Sequence, residues 1–252
     1  KSRELAAEYN RKQAAGEDLS EFHGNVDPNS IQGQEQAREQ QGLDIAMRPK
    51  LAVNVMRVQF PLEVIDELNS HIDDTIIPNN VDYSPGLVGQ IRQNEKSKQL
   101  HFPHEGDEVG EQFSSVLMRL GSEYVDRTIG LPCDVDMQSM WTVHSYEGDY
   151  NPVHDHGGSY SFVVWMKIPT SNKEQRELPI AKESLNGDSI SNFAFLYTDL
   201  IGNVRSLSIP MERETAGTMV IFPSRMKHQV YPFYECDEER VSVAGNFGVI
   251  YE

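Results

Sequence analysis

The chain has 252 residues, enough for one substantial domain with a buried site, and carries a formal net charge of −17. That charge repels phosphate backbones and anionic lipid, and no basic patch offsets it, so neither nucleic acid nor a membrane is an expected partner; no run of eighteen apolar residues exists to span a bilayer. The two cysteines, Cys133 and Cys236, are too few for a disulfide framework, and Lys1 to Gly16 has no apolar leader core, so a soluble, cytoplasmic protein is expected.

Residues 1–50 are rich in Gln, Glu and Ala and hold few large apolar side chains, so they cannot bury a core alone. They are expected to form a polar N-terminal arm, either solvated or serving as a tether to a protein partner. The folded domain is expected over 51–252. It opens with the β-prone Leu51 to Phe60, and Pro61 then starts a helix with Val64, Ile65, Leu68 and Ile72 on one face. A Gly, Asn and Pro-bearing connection from about Asn79 to Leu100 follows, in which His101 and His104 just beyond it read as surface residues. A second helix is expected over Val109 to Ile129, with Phe113, Val116, Leu117, Leu120 and Tyr124 at helical spacing. From Asp136 onward short runs rich in Val, Ile, Phe, Tyr and Trp alternate with Gly, Asn, Asp and Pro clusters, the pattern of an all-β sandwich or barrel.

The chemistry should lie in that β region. Asn151-Pro-Val-His154-Asp155-His156-Gly-Gly-Ser159 falls between expected strands Met137 to Tyr146 and Ser161 to Ile168. In extended chain alternate side chains share a face, so both imidazoles can reach one metal while Asp155 points away. Alone, such a pair is a weak signal, open between metal binding and a surface or hydrogen-bonding role. His228, 74 residues after His154, stands at a strand start beyond Phe222-Pro223 and is a candidate third ligand. Twelve residues further, Arg240-Val-Ser242-Val-Ala-Gly-Asn246-Phe places Arg240, Ser242 and Asn246 on one strand face and Val241, Val243 and Phe247 on the other. A buried guanidinium needs an anion: a ligand carboxylate, with Ser242 adding a hydrogen bond, or an internal acidic side chain. Trp141, His144 and Tyr146 read as barrel filling before pocket lining, and Trp165 and the Tyr231-Pro-Phe-Tyr234 cluster as core and rim packing.

The stretches Asn151 to Pro169, Phe193 to Asp199, Phe222 to Tyr234 and Arg240 to Asn246 resemble the 2-oxoglutarate and iron(II)-dependent oxygenase superfamily, in particular the small oxygenases encoded by marine bacteriophages. The resemblance covers about 51–251. It implies a mainly β fold with flanking helices, a double-stranded β-helix of the jelly-roll or cupin-like kind. It implies a site in which His154, His156 and His228 hold Fe(II), and Arg240 with Ser242 grips the distal carboxylate of the cosubstrate 2-oxoglutarate. The implied activity is dioxygenase chemistry with O2: hydroxylation of a protein, peptide or small-molecule C–H bond with formation of succinate and CO2. His156 departs from the family pattern, which usually has Asp or Glu there. Asp155 therefore remains an alternative ligand if the loop kinks at Gly157-Gly158, an orienting partner of a histidine, or a solvated turn residue. Two other functions stay open: a cupin-like metal protein, which would leave Arg240 and Ser242 without a purpose, and a structural or virion-associated binding module on the same barrel.

Overall fold

The computed structural model describes residues 54–250 apart from Val88, Gln93, Leu131 and Leu200. The expected arm at 1–50 lies outside the described residues. What is described is a double-stranded β-helix of two antiparallel sheets, faced by helices on one side. The strands are β1 (Met56–Gln59), β2 (Lys98–His101), β3 (Asp134–Ser145), β4 (Asn151–His154), β5 (Tyr160–Lys167), β6 (Phe193–Thr198), β7 (Val204–Ile209), β8 (Thr218–Pro223), β9 (His228–Val230) and β10 (Arg240–Ile250). The larger sheet has the order β1-β8-β5-β10-β3-β2 and the smaller β4-β9-β6-β7.

Helix α1 (Leu62–His71) follows Pro61, whose missing N–H costs nothing at a helix start. Its Ile65 and Leu68 are buried, as is Ile72 in the π-helical turn Ile72–Ile76 that prolongs it. After α2 (Ile77–Asn79), the long helix α3 (Glu108–Ile129) begins where the Asp107 carboxylate accepts the Gly110 N–H, 2.8 Å away, and ends at Gly130 with φ 74°. An acidic cap and Glu108 and Glu111 in the first turn complement the helix dipole, and glycine alone adopts that terminal conformation without strain. Phe113, Leu117 and Tyr124 are buried on α3, as their spacing predicts; Val116 instead sits at the edge of the buried face and is 36 % exposed.

The larger sheet has two apolar faces, which explains why β5 reads as an unbroken run rather than an alternating one. Phe162, Val164 and Met166 join α1 and α3 in an outer core, together with Val241, Val243 and Phe247 of β10. Val163 and Trp165, one residue out of phase, face the interior between the two sheets with Trp141, Phe193, Phe222 and Ala244. Gly245 lets the outer core close: a Cβ there would stand 2.4 Å from the Ser139 carbonyl oxygen and 2.6 Å from the Phe162 ring.

The connection expected over 79–100 is more ordered than its composition suggests. Lys98–His101 forms β2, paired with β3 in the register Gln99↔Val143. His101 and His104 are correspondingly half-buried rather than on the surface; His101 is a strand residue, and burial is the main cause that lowers its pKa.

Candidate metal centre and anion pocket

Strands β4 and β9 pair antiparallel with His154 opposite His228, and β9 in turn pairs with β6 with Phe195 opposite His228. The ring centroids of His154 and His228 are 4.2 Å apart. Past the end of β4 the chain stays extended long enough for His156 to fall on the same side, its ring 5.2 Å from that of His154 and 4.9 Å from that of His228. The turn that follows is fixed from both sides: the His156 N–H donates to Ser224 O (2.9 Å), the Ser159 N–H to Phe247 O (2.9 Å), and Gly158 takes φ 77°. One ligand atom from each of the three histidines lies within 4.8 Å of the others.

The chemistry of this donor set fits a transition metal. His154 Nδ1 lies 2.7 Å from Pro152 O and His228 Nδ1 3.0 Å from Met226 O. Carbonyl oxygens only accept, so both Nδ1 atoms carry the proton and both Nε2 atoms keep a free lone pair. His156 Nδ1 lies 3.2 Å from Asn246 Oδ1. That oxygen also accepts from Ser161 Oγ (2.8 Å), while Asn246 Nδ2 donates to Ser139 Oγ (3.0 Å), so the carboxamide is held at both ends. Burial lowers the pKa of all three rings, His156 to about 4, and each ring's neighbouring histidines add to the effect at His156 and His228. Neutral imidazoles with the outer nitrogen hydrogen-bonded are the form that binds a metal. Phe193 stacks on His228 with centroids 5.2 Å apart and planes 18° apart, closing the site on the side of the small sheet.

Asp155, left open as a ligand, is not among the three clustered residues. Its carboxylate turns outward to Lys227 Nζ (2.6 Å) and Arg225 Nη1 (3.8 Å), and the Lys227 hydrogen bond holds it below the usual carboxylate range.

Arg240, at the start of β10, opens on the same cavity as the three histidines, as do Ser242 and Asn246. The guanidinium is buried, 5 % exposed. It donates to Ser191 O (3.1 Å) and Tyr231 O (3.4 Å) and lies over the Phe233 ring at 5.1 Å. Burial lowers its pKa to about 10, with Asp149 acting in the opposite direction, so it remains a cation at neutral pH. The Tyr231 to Tyr234 cluster, expected to be packing, thus also anchors this group through one carbonyl and one ring. Trp141, expected as core filling, lines the cavity along with Val143 and Ser145, whereas His144 points to the other side of β3 and meets Glu239 at 2.9 Å. Gly86, Leu87 and Gln99 also line the cavity. No local pattern marks these three, because they come from the segment read as a connection.

Residues 139–246 match the model of a family described as "Putative 2OG-Fe(II) oxygenase". The first and last matched residues, Ser139 and Asn246, are register partners on β3 and β10. No curated protein matches the sequence. Among solved structures, the chain is similar to a prolyl-4-hydroxylase of Pseudomonas putida, with 15% identity, a TM-score of 0.52 and coverage of 78% of this chain and 93% of that one. It is also similar to a prolyl hydroxylase of Trichoplax adhaerens in complex with a hypoxia-inducible-factor peptide fragment, with 11% identity, a TM-score of 0.50 and coverage of 88% and 96%. A viral collagen prolyl hydroxylase from Paramecium Bursaria Chlorella virus-1, solved with 2-oxoglutarate, matches at 13% identity and a TM-score of 0.47 over 79% and 97%. Iron and 2-oxoglutarate are the cofactors of the matched family, and His154, His156 and His228 could hold the iron. The family match is confined to residues 139–246, and the solved structures share the double-stranded β-helix fold.

Proposed function

We propose that the chain is a 2-oxoglutarate-dependent dioxygenase that hydroxylates a C–H bond of a protein, peptide or small molecule. In this reading His154, His156 and His228 hold Fe(II), and Arg240 and Ser242 bind the distal carboxylate of 2-oxoglutarate. The observation that carries it is that three neutral, oriented imidazoles and a buried cation line one cavity. Iron with 2-oxoglutarate supplies oxidising power toward an unreactive C–H bond when bound.

The protein's own part is binding, orientation and exclusion of water. The carbonyls of Pro152 and Met226 and the Asn246 carboxamide fix each ring's tautomer and direction. Arg240 is held by Ser191 O, Tyr231 O and Phe233 before any ligand arrives, so little is lost in ordering it. Val163, Trp165 and Phe193 supply apolar walls that keep the local dielectric low, which strengthens the pairing of guanidinium and carboxylate. A ligand set without a carboxylate is one unit more positive than the usual two-histidine, one-acid set, and a dianionic cosubstrate offsets that charge. The likeness to phage-encoded oxygenases, with action in a cytoplasm, belongs to this proposal.

The test is aerobic incubation with Fe(II) and 2-oxoglutarate, with succinate measured. Slow uncoupled succinate formation that needs both additions is expected. Binding of 2-oxoglutarate without any turnover, with or without candidate substrates, would return the chain to a binding module.

A further inference from the structure

Gln99 is a residue whose side chain the fold seals in without giving it a partner. It is 3 % exposed, it lines the cavity, and its carboxamide makes no hydrogen bond among the described residues, with Oε1 fully enclosed. A buried amide in this condition is costly unless something in the cavity completes it. Register gives its position. Gln99 is opposite Val143 across β2 and β3, and Val143 is opposite Ser242 across β3 and β10. Gln99 and Ser242 therefore stand in one row, two strand spacings or about 10 Å apart, on the concave side of the sheet. The next row on the same face pairs Ser145 with Arg240, and Ser145 Oγ there accepts from Gln90 Nε2 at 2.6 Å. A ligand lying between the guanidinium and the histidines passes Gln99 on one side and Ser242 on the other.

We propose that Gln99 is a further cosubstrate-binding residue: a half-turn of its carboxamide exchanges Oε1 with Nε2, and the N–H then in the enclosed, unpartnered position donates to the distal carboxylate of 2-oxoglutarate opposite Ser242. This rests on the assignment of Arg240 as the carboxylate clamp. It adds a donor from β2, a strand outside the matched segment 139–246. A carboxamide suits the task because it donates without adding charge, which leaves the single guanidinium to set the electrostatics.

The experiment is an anaerobic titration of Mn(II)-loaded protein with 2-oxoglutarate, followed by the fluorescence of Trp141 and Trp165, the chain's two tryptophans, both in the cavity wall. Gln99→Met should raise Kd about tenfold or more, the loss of a hydrogen bond to a charged group. The thermal midpoint of the metal-free variant should hold or rise, since an unpaired buried amide has been removed. Gln99→Glu should weaken binding further by setting a carboxylate against the dianion. An unaltered Kd in Gln99→Met or Gln99→Glu, while Arg240→Ala binds more weakly, would overturn the assignment of Gln99 and leave the clamp standing. An unaltered Kd in Arg240→Ala would remove the clamp itself.

Discussion

Asn246 of β10 holds His156 by its inner nitrogen, Oδ1 to Nδ1 at 3.2 Å, although the two are 90 residues apart in sequence. The contact ties the loop after β4 to the centre of the large sheet. Asn246→Ala should lower metal affinity by about 10–100-fold, the usual effect of losing a ligand's outer hydrogen bond. Competition for Mn(II) or Fe(II) against a chelator measures it. Unchanged affinity would mean that His156 needs no orienting partner.

His228 and Asp155 make opposite forecasts. His228→Ala should abolish metal retention by elemental analysis, because two imidazoles on one short strand and its extension remain. Asp155→Asn should leave metal content as it is, since this carboxylate is spent on Lys227 and Arg225 at the surface. Metal lost from Asp155→Asn, or kept by His228→Ala, would redraw the ligand set.

The histidines also set a pH dependence for the metal-free protein. Burial holds His156 at about 4 and lowers His154 and His228 from the ordinary 6.5. The unfolded chain takes up protons on these rings as pH falls through 6.5, and the folded chain does so only at lower pH. Stability is therefore flat above that value and falls with pH below it, the unfolded state binding more protons. His156 alone accounts for on the order of 3 kcal/mol once pH reaches its folded pKa. Urea midpoints between pH 7 and 5 should decline, and His156→Phe should flatten the slope. No decline would contradict neutral rings in the fold.

Gly245→Ala tests the packing behind the pocket. The added methyl has no room between Ser139 O and the Phe162 ring, so β10 must shift. A cost of about 2–3 kcal/mol is expected, lowering the melting midpoint by about 5–10 °C. A wild-type midpoint would show that β3 and β5 give way more easily than their burial implies.

The strands that carry the histidines and Arg240 were legible because period-2 alternation on β10 and the alternate placing of His154 and His156 are properties of local chain. The meeting of His154 with His228 was legible only through resemblance, since pairing of β4 with β9 is a long-range event that no local pattern encodes. β2 was not legible. Lys98–His101 is four residues long, lies among Gly, Asn and Lys, and gains its structure from pairing with β3. Trp141 was left between barrel filling and pocket lining for a related reason, and it does both: on a strand buried on both faces, sequence does not tell which side meets the cavity. Asp155 was undecidable until the positions of Arg225 and Lys227 were seen.

Ser139 and Asn246 are neighbours, and their side chains join at 3.0 Å. The stretch between them is a ring of chain with its clasp fastened. β2 with Gln99 lies outside the clasp, so a substitution there leaves the ring's circumference and the seat of the three imidazoles as they are. On the proposed assignment of Gln99, the choice among keto acids is made partly on an outer strand, apart from the seat of the metal.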